Sequence, residues 1–241
     1  MKLPSVLLKG KLVKRYKRFL ADVELENGEL VTAFCPNSGS MKSCSDPGSA
    51  VRLSISDNPK RRLKYTWELV KSNSVWVGIN TGLPNKLVRE AIETGVAVEL
   101  QGYRSIRPEV KYGENSRIDL LLEKEKSRCY VEVKNVTLVE GNKALFPDAV
   151  TIRGQKHLRE LMQMVRDGHR AVMFYVVQRG DGETFEPADE IDLAYGTLLR
   201  QAVKVGVEIL AYRAKVNERE IYLTHRLPIY LDNTPENQLK S

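Results

Sequence analysis

Residues 116–135 read SRIDLLLEKEKSRCYVEVKN, and this stretch decides how the second half of the chain is interpreted. Two short apolar segments flank a charged one, a pattern that predicts a β-hairpin with a polar loop. Asp119 lies in the first segment, and Glu132 and Lys134 lie in the second. Because alternate residues of a strand face the same side, Glu132 and Lys134 are expected to share one face of the sheet. Asp119, near the start of the paired strand, is then expected to lie beside Glu132.

Two carboxylates and a lysine on neighbouring strands suit the hydrolysis of phosphodiesters. Carboxylate oxygens bind hard divalent cations such as Mg²⁺, and a bound cation activates water and neutralises charge on a phosphate. A lysine beside the cation can orient or deprotonate that water. The alternative is an edge hairpin whose charges are only solvated, because a D…ExK pattern also arises often by chance. The motif alone leaves both interpretations open.

Charge is distributed unevenly along the 241 residues. The net charge is +7, and residues 1–80 contain 14 Lys and Arg against 7 Asp and Glu, whereas residues 81–241 contain 24 of each kind. The whole excess of positive charge therefore lies in the first third of the chain. A basic part joined to a neutral part is typical of proteins that bind nucleic acid.

Composition disfavours several classes of protein. The opening segment, MKLPSVLLKGK, is too short and too charged for a signal peptide, and no apolar run approaches the length of a membrane span. The three cysteines, Cys35, Cys44 and Cys129, are odd in number and lack CxxC spacing, which argues against a disulfide framework or a zinc site. We therefore expect a protein of the reducing cytoplasm with no membrane partner.

The basic part has the pattern of a small β-barrel. Five short runs rich in β-forming residues are separated by turn signals such as Asn27-Gly28 and Asp46-Pro47-Gly48. The predicted strands are residues 7–13, 19–25, 30–34, 51–56 and 65–72. Five strands in so short a segment favour an OB-fold, whose face commonly binds single-stranded nucleic acid.

Two clusters in this part mix cations with aromatic rings. Cations contact phosphates, and aromatic side chains stack on unpaired bases. The alternative is a pair of solvated turns whose aromatic residues belong to the core. The candidate nucleic-acid-binding residues are Lys14, Arg15, Tyr16, Lys17, Arg18, Lys60, Arg61, Arg62, Lys64, Tyr65 and Trp67.

The second part alternates helices and strands. Helices are predicted over residues 85–94, 152–166 and 195–205. Strands are predicted over residues 96–100, 118–122, 129–134, 171–177, 207–212 and 221–223. The fold class is therefore α/β (α+β overall), with an OB-like small β-barrel followed by a mixed sheet flanked by helices. A polar tail is expected over residues 233–241.

Several longer segments carry a resemblance to a known family. They are RYKRFLADV (15–23), CPNSGSM (35–41), KYTWEL (64–69), SRID (116–119), VEVKNVTL (131–138) and FPDAVT (146–151). In these segments and in their order the chain resembles the sugar fermentation stimulation protein family over residues 7–228. The carboxyl part resembles the PD-(D/E)xK nuclease superfamily, whose core is an αβββαβ unit with D…ExK on its central hairpin.

The resemblance implies a protein of two domains. Residues 1–82 would form an OB-like basic nucleic-acid-binding domain, and residues 83–232 would form a PD-(D/E)xK nuclease-like domain. It also implies DNA binding with low sequence specificity. The family is traditionally described as a regulator of sugar (maltose) utilisation, and nothing in the residues themselves speaks to that role.

The resemblance further implies roles for residues of the central hairpin. Asp119 and Glu132 resemble the metal ligands, with the carbonyl of Val133 as a third contact. The metal would be Mg²⁺ or Mn²⁺. Lys134 resembles the lysine of the motif, so that Asp119, Glu132 and Lys134 are the principal catalytic candidates.

Neighbouring helices would complete the site. Glu90, on the first core helix, is expected to complete the metal site, with Glu109 as its rival. Gln155 and Lys156 near the start of the later helix are expected to position phosphate or water, because the helix dipole favours an anion there. His157 is expected on the helix surface or as a cap rather than as a catalytic base.

Three functions from different classes remain open on the sequence. The first is a DNA-binding protein in which the nuclease-like domain is a scaffold. The second is a Mg²⁺-dependent endonuclease that cuts double- or single-stranded DNA. The third is an RNA-binding or RNA-processing protein, since OB-folds bind both polymers. Whether the protein is an enzyme, and its oligomeric state, stay open at this point.

Neutralising Lys60, Arg61, Arg62 and Lys64 together is expected to weaken DNA binding and to flatten its dependence on salt. Each phosphate contact contributes about 0.9 to the slope of log K against log salt, so loss of four contacts removes about 3.6 from the slope. Titrations of labelled DNA at several salt concentrations measure this. A slope equal to that of the wild type would remove these four residues from the interface.

Overall fold

The computed structural model describes residues 1–113 and 116–232. The polar tail predicted for residues 233–241 therefore lies outside the described residues. None of the helices within the two described ranges combines the length and the apolarity that crossing a membrane requires.

Residues 8–78 form the predicted barrel. The strands are β1 (Leu8–Tyr16), β2 (Leu20–Leu25), β3 (Leu30–Phe34), β4 (Ala50–Ile55), β5 (Tyr65–Ser72) and β6 (Val75–Gly78). They lie in the order β3-β2-β1-β4-β5-β6, and a parallel pairing of β3 with β5 closes the first five strands into a ring. At the closure Ala33 lies opposite Tyr65, and Phe34 lies opposite Thr66. The closed five-stranded barrel confirms the predicted OB-fold.

Trp67 fills the barrel interior, which makes its assignment as a base-stacking residue wrong. The side chain is 0 % exposed, and the indole N–H donates to the carbonyl of Leu69 at 2.9 Å. A closed barrel needs bulky side chains in its interior, and Trp67 packs there with residues such as Leu53 and Met41. Tyr65, at the start of the same strand, is only partly buried and stays a candidate.

The second part follows the predicted αβββαβ order. Its helices are α1 (Pro84–Glu93), α2 (Ile152–Arg166) and α3 (Asp189–Val205). Its strands are β7 (Ser105–Tyr112), β8 (Ser116–Lys124), β9 (Ser127–Val136), β10 (Leu138–Glu140), β11 (Lys143–Phe146), β12 (Arg170–Val177), β13 (Thr184–Pro187), β14 (Glu208–Val216) and β15 (Ile221–Arg226). The strands β8 and β9 form the predicted antiparallel hairpin.

A six-stranded mixed sheet forms the centre of this part. Its order is β15-β14-β12-β9-β8-β7, and the pairings of β12 with β9 and with β14 are parallel. Helices α2 and α3 pack on one face, and α1 packs on the other. The central strand β12 is buried on both faces, which explains its continuous apolar sequence. The predicted fold class is confirmed.

Three details differ from the sequence prediction. The strand predicted over residues 96–100 is wrong, since residues Val98–Leu100 form a short 3₁₀ turn and the outer strand is β7. Most residues of β7 are exposed, so its sequence lacks the apolar pattern that predicts a strand. Helix α3 begins at Asp189 rather than at residue 195, with non-helical backbone at Asp192. The small sheet β10-β11-β13 was not predicted, because strands of three or four residues carry almost no periodic signal.

Contacts at the end of β6 and at Arg52 help to join the barrel to the second part. The backbone N–H of Gly78 donates to the carbonyl of Gln178 at 2.9 Å, and a Cβ at Gly78 would lie 2.4 Å from the side-chain oxygen of that buried glutamine. Arg52 pairs with Glu218 at 2.6 Å and also lies 4.5 Å above the ring of Trp76. The two parts are therefore packed together, while the domain boundary at residue 82 stays a prediction.

Replacement of Trp67 by alanine is expected to destabilise the protein by about 3–5 kcal/mol, because it leaves a large cavity in the barrel. The matched control is Trp76→Ala, which removes a partly buried indole and should lower the free energy of unfolding by less. Urea denaturation measures both values. Equal losses for the two variants would contradict the placement of Trp67 in the core.

Candidate active site

Strands β8 and β9 bring Asp119 and Glu132 to the wall of a cleft. The β8–β9 pairing reaches Leu120 opposite Val131, and Asp119 and Glu132 are the next residues along the two strands. The cleft has a volume of about 920 Å³ and lies between the barrel and the second part. Its lining includes Arg15, Arg18, Asn37, Ser38, Gly39, Ser40, Asn85, Glu109, Asp119, Glu132, Val133, Lys134, Asp148, Arg153 and His157.

Asp119 is held by donors from two elements. Its Oδ2 accepts the backbone N–H of Val133, and its Oδ1 accepts the side-chain amide of Asn85, each at 2.8 Å. Burial and the nearby carboxylate of Glu132 raise the pKa of Asp119 to about 6, even though these donors and Lys134 favour its charged form. Asn85 lies in the first turn of α1, so that helix positions the carboxylate of Asp119 through an amide.

Glu132 is almost completely buried, with 2 % of its surface exposed. Its Oε1 accepts a hydrogen bond from the Lys134 ammonium at 2.6 Å and contacts Nδ1 of His157. Burial raises the pKa of Glu132, but Lys134 and His157 outweigh burial, and the net pKa lies below the ordinary value. Glu132 therefore keeps its negative charge to a lower pH than Asp119 does. Its Oε2 is buried, and none of the described residues forms a hydrogen bond with it.

His157 lies in the cleft, which makes its expected position on the helix surface wrong. The side chain is 5 % exposed, and its Nε2 accepts a hydrogen bond from Nε of Arg153 at 3.3 Å. Because Nε2 accepts, a neutral ring carries its proton on Nδ1, which then donates to Glu132. Lys134 lies 3.2 Å from the same ring nitrogen. The histidine thus links helix α2 to the buried carboxylate.

The donors of this site fit a hard divalent cation. Across residues 1–113 and 116–232, no group of three or more His, Cys, Asp and Glu side chains is placed to hold a metal ion. Within those ranges Oε2 of Glu132 nevertheless has no hydrogen-bond partner, and a cation there would offset the burial and the repulsion by Glu132 that raise the pKa of Asp119. Asp119 and Glu132 would hold it, and the carbonyl of Val133 stays the predicted third ligand.

The structure does not bring Glu90 to this pair. Its carboxylate lies 2.6 Å from the amino group of Met1, outside the cleft. Glu109 does line the cleft, and it lies on β7 between residues that pair with Ile118 and Leu120, hence opposite Asp119. Its φ of 53° is unusual for a residue with a side chain. Of the two rivals, the geometry favours Glu109.

Helix α2 presents different residues from those predicted. The amide of Gln155 donates to Asp192 at 3.2 Å, and Lys156 pairs with Glu160 at 3.6 Å, so neither side chain lines the cleft. Arg153 and His157 line it instead. These two residues are four apart, a spacing that places them on one face of a helix, and this spacing was the signal available in the sequence.

The predicted cations of the barrel lie in two places, near the β1–β2 hairpin and in the segment before β5. Arg15 and Arg18 line the cleft, but the guanidinium of Arg15 already donates to main-chain carbonyls, including those of Asn37 and Gly39 at 2.8 Å. Lys14 lies 3.6 Å from Asp22, which also accepts from the hydroxyl of Tyr16. The cations of the segment before β5 are exposed and do not line the cleft. They are Lys60, Arg61, Arg62 and Lys64.

A loop over residues 37–41 joins the barrel to the floor of the cleft, a contact that the sequence did not predict. The hydroxyl of Ser40 donates to the carbonyl of Asp148 at 2.6 Å, and the N–H of Met41 donates to its carboxylate at 3.0 Å. A Cβ at Gly39 would lie 2.6 Å from that carboxylate, so a larger residue would displace the side chain of Asp148. The loop therefore sets the position of the barrel beside Asp119 and Glu132.

Comparison with known proteins agrees with this arrangement. The family model described as the SfsA N-terminal OB domain matches residues 13–79, and the one described as the sugar fermentation stimulation protein RE domain matches residues 82–220. A sugar fermentation stimulation protein homolog from Geobacter metallireducens is 70% identical over 232 residues, which cover 96% of this chain and 100% of the relative. The homolog from Geobacter sulfurreducens is 69% identical over 229 residues, which cover 95% of this chain and 98% of the relative.

A solved structure is similar over almost the whole chain. It is described as that of Pyrococcus furiosus SfsA in complex with Ca²⁺. The TM-score is 0.87 at 30% sequence identity, and the similarity covers 95% of this chain and 99% of that chain.

Divalent cations are expected to stabilise the protein against unfolding through Asp119. A cation at a hundred times its Kd would add about 2.7 kcal/mol, because it binds the folded state alone. Denaturation with Mg²⁺, Ca²⁺ or EDTA measures the effect, which should vanish in Asp119→Asn. The matched control, Glu90→Gln, should keep it. Loss of the effect in the control variant would show that Glu90 is a ligand and that the described geometry is not the binding one.

Proposed function

Because the chain belongs to the sugar fermentation stimulation protein family, we propose that it is a DNA-binding protein of low sequence specificity whose cleft hydrolyses phosphodiester bonds. The cation in this proposal is Mg²⁺ or Mn²⁺. The Pyrococcus furiosus relative is in complex with Ca²⁺, a cation with the same preference for oxygen ligands. Both the family and the chemistry of the carboxylates thus support a divalent-metal site.

One observation carries the proposal. Among the residues that the structure describes, no donor reaches the buried Oε2 of Glu132, whereas its other oxygen accepts from the Lys134 ammonium at 2.6 Å. An unpaired buried carboxylate oxygen is costly, and Asp119, whose pKa is raised, lies next to it. Lys134 and His157 both contact Oε1, so Oε2 is the oxygen that is left for a ligand.

When bound, the cation would lower the pKa of a water and neutralise charge on the phosphate. The residues of the chain supply the rest. Asp119 and Glu132 hold the negative charge that attracts the cation, and Lys134 lies where an ammonium can orient the attacking water or stabilise the phosphate. His157, by donating to Glu132, keeps the carboxylate in one orientation. Arg153, fixed against His157, adds a second cation at the cleft wall.

Binding without cleavage is the second candidate function. It would suit a regulator of sugar (maltose) utilisation, which the name of the family suggests. The observation in its favour is that, in the described ranges 1–113 and 116–232, no three His, Cys, Asp and Glu side chains converge on one metal position. A third acidic ligand would normally accompany a tightly held Mg²⁺, unless main-chain oxygens, water and substrate phosphates complete the shell.

The deciding experiment incubates purified protein with supercoiled plasmid, single-stranded DNA and RNA in Mg²⁺, Mn²⁺ or EDTA. Cleavage is expected with the metals and not with EDTA. Asp119→Ala should lower the rate by at least about 100-fold, because loss of a group that stabilises transition-state charge costs about 10²–10³-fold. Products are followed on denaturing gels over time.

The control in this experiment is Glu90→Gln, which lies outside the cleft and should cleave at the wild-type rate. DNA binding that persists in the absence of cleavage on every substrate would eliminate the hydrolytic function and leave the regulator. Cleavage of RNA alone would replace DNA as the substrate.

A further inference from the structure

Two phenylalanines form a stacked pair on the surface of the barrel. The rings of Phe19 and Phe34 lie 6.4 Å apart with an angle of 14° between their planes, and Phe19 is 46% exposed. The guanidinium of Arg61 lies 5.9 Å from the ring of Phe34. A single exposed apolar residue is ordinary on a protein surface. A stacked aromatic pair with a cation over it, on a basic OB-fold, is a platform of the kind that binds bases.

Strand pairing in the barrel assembles this platform from distant parts of the sequence. Phe34 lies opposite Leu20 on one side, next to Phe19, and opposite Thr66 on the other side. The two basic clusters, residues 14–18 and 60–64, are therefore neighbours, with Phe34 between them. Phe34 belongs to neither cluster, and only closure of the barrel shows that it joins them.

The platform adjoins residues that line the cleft. Phe19 directly follows Arg18, which lines the cleft, and Phe34 lies three residues before Asn37, which also lines it. Arg15 fixes this junction, since its Nη2 donates to the carbonyls of Arg18 at 3.0 Å and of Asn37 at 2.8 Å. A strand bound on the platform would thus reach the cleft wall at Arg18.

The turn between β1 and β2 places two cations next to Phe19. Lys17 and Arg18 have φ values of 48° and 62°, which glycine or asparagine adopt more easily. The tight turn of the hairpin, in which Tyr16 pairs with Leu20, requires these values. Here the strained positions hold two cations beside Phe19.

We infer that Phe19 and Phe34 bind single-stranded nucleic acid by stacking on its bases, with Arg61, Lys17 and Arg18 on its phosphates, and that the strand passes from this platform into the cleft. The inference builds on the proposed function, because it names the substrate of that cleft. A duplex cannot use the aromatic rings, since its bases are stacked inside, and it would contact the cations alone.

The test measures fluorescence anisotropy of a labelled oligonucleotide of about 16 nucleotides, the upper end of what one OB-fold covers, and of the blunt duplex of the same length. EDTA is present throughout, so that nothing is cut. Phe19→Ala is expected to weaken single-strand binding by about 5- to 150-fold, the equivalent of one lost stacking contact. Its duplex affinity should equal that of the wild type, and Phe19→Trp should restore single-strand binding.

The matched control is Tyr230→Ala, which removes an aromatic ring that is also 46% exposed but belongs to the other end of the chain. It should bind both oligonucleotides as the wild type does. Single-strand affinity that is unchanged in Phe19→Ala, or a loss that is equal for the duplex, would overturn the inference. Failure of cleavage by the wild type would count against the proposed hydrolysis alone, because this readout needs neither metal nor turnover.

Discussion

Compensation of one buried carboxylate governs the geometry of the second part of the molecule. An uncompensated charge at the position of Glu132 would cost several kcal/mol. Lys134 from the same strand and His157 from α2 provide the compensation. Because His157 belongs to a separate helix, the requirement fixes how α2 lies over the sheet, and Arg153 reaches the cleft through the same placement. The remaining unpartnered oxygen of Glu132 is then available to a ligand.

A second constraint holds the barrel beside that carboxylate. The guanidinium of Arg15 donates to main-chain carbonyls at three points of the loop that ends β3 and approaches the second part. The loop in turn donates to Asp148, and Gly39 permits the close approach. Arg15, which the sequence predicts to contact phosphate, therefore also stabilises the loop between the two parts. Its substitution would move the barrel relative to Asp119 as well as remove a charge.

Much of the fold could be predicted, and the errors have common physical causes. The barrel strands, the central hairpin and helix α2 follow from periodicity and turn residues. Strand β7 is mostly exposed, so it lacks the apolar pattern that predicts a strand. Trp67 was assigned to the binding surface, but it lies in the core. A cluster of cations and aromatic residues looks the same in sequence whether its aromatic side chains contact a base or fill the core. The position of helix α2 in the sequence was predicted correctly, but the face that carries Gln155 and Lys156 does not line the cleft. Which face of a helix lines a cleft depends on what the helix packs against.

The sequence by itself determined the elements and the chemistry available to them. Alternation in residues 116–135 placed Glu132 and Lys134 on one face, and the charge distribution marked the first third as the basic part. Only the tertiary structure decided which side chains meet. Closure of the barrel put Phe34 between two distant basic clusters, and packing of α2 buried His157 against Glu132. Local patterns report periodicity within an element, whereas contacts between elements depend on burial and charge compensation across the whole fold.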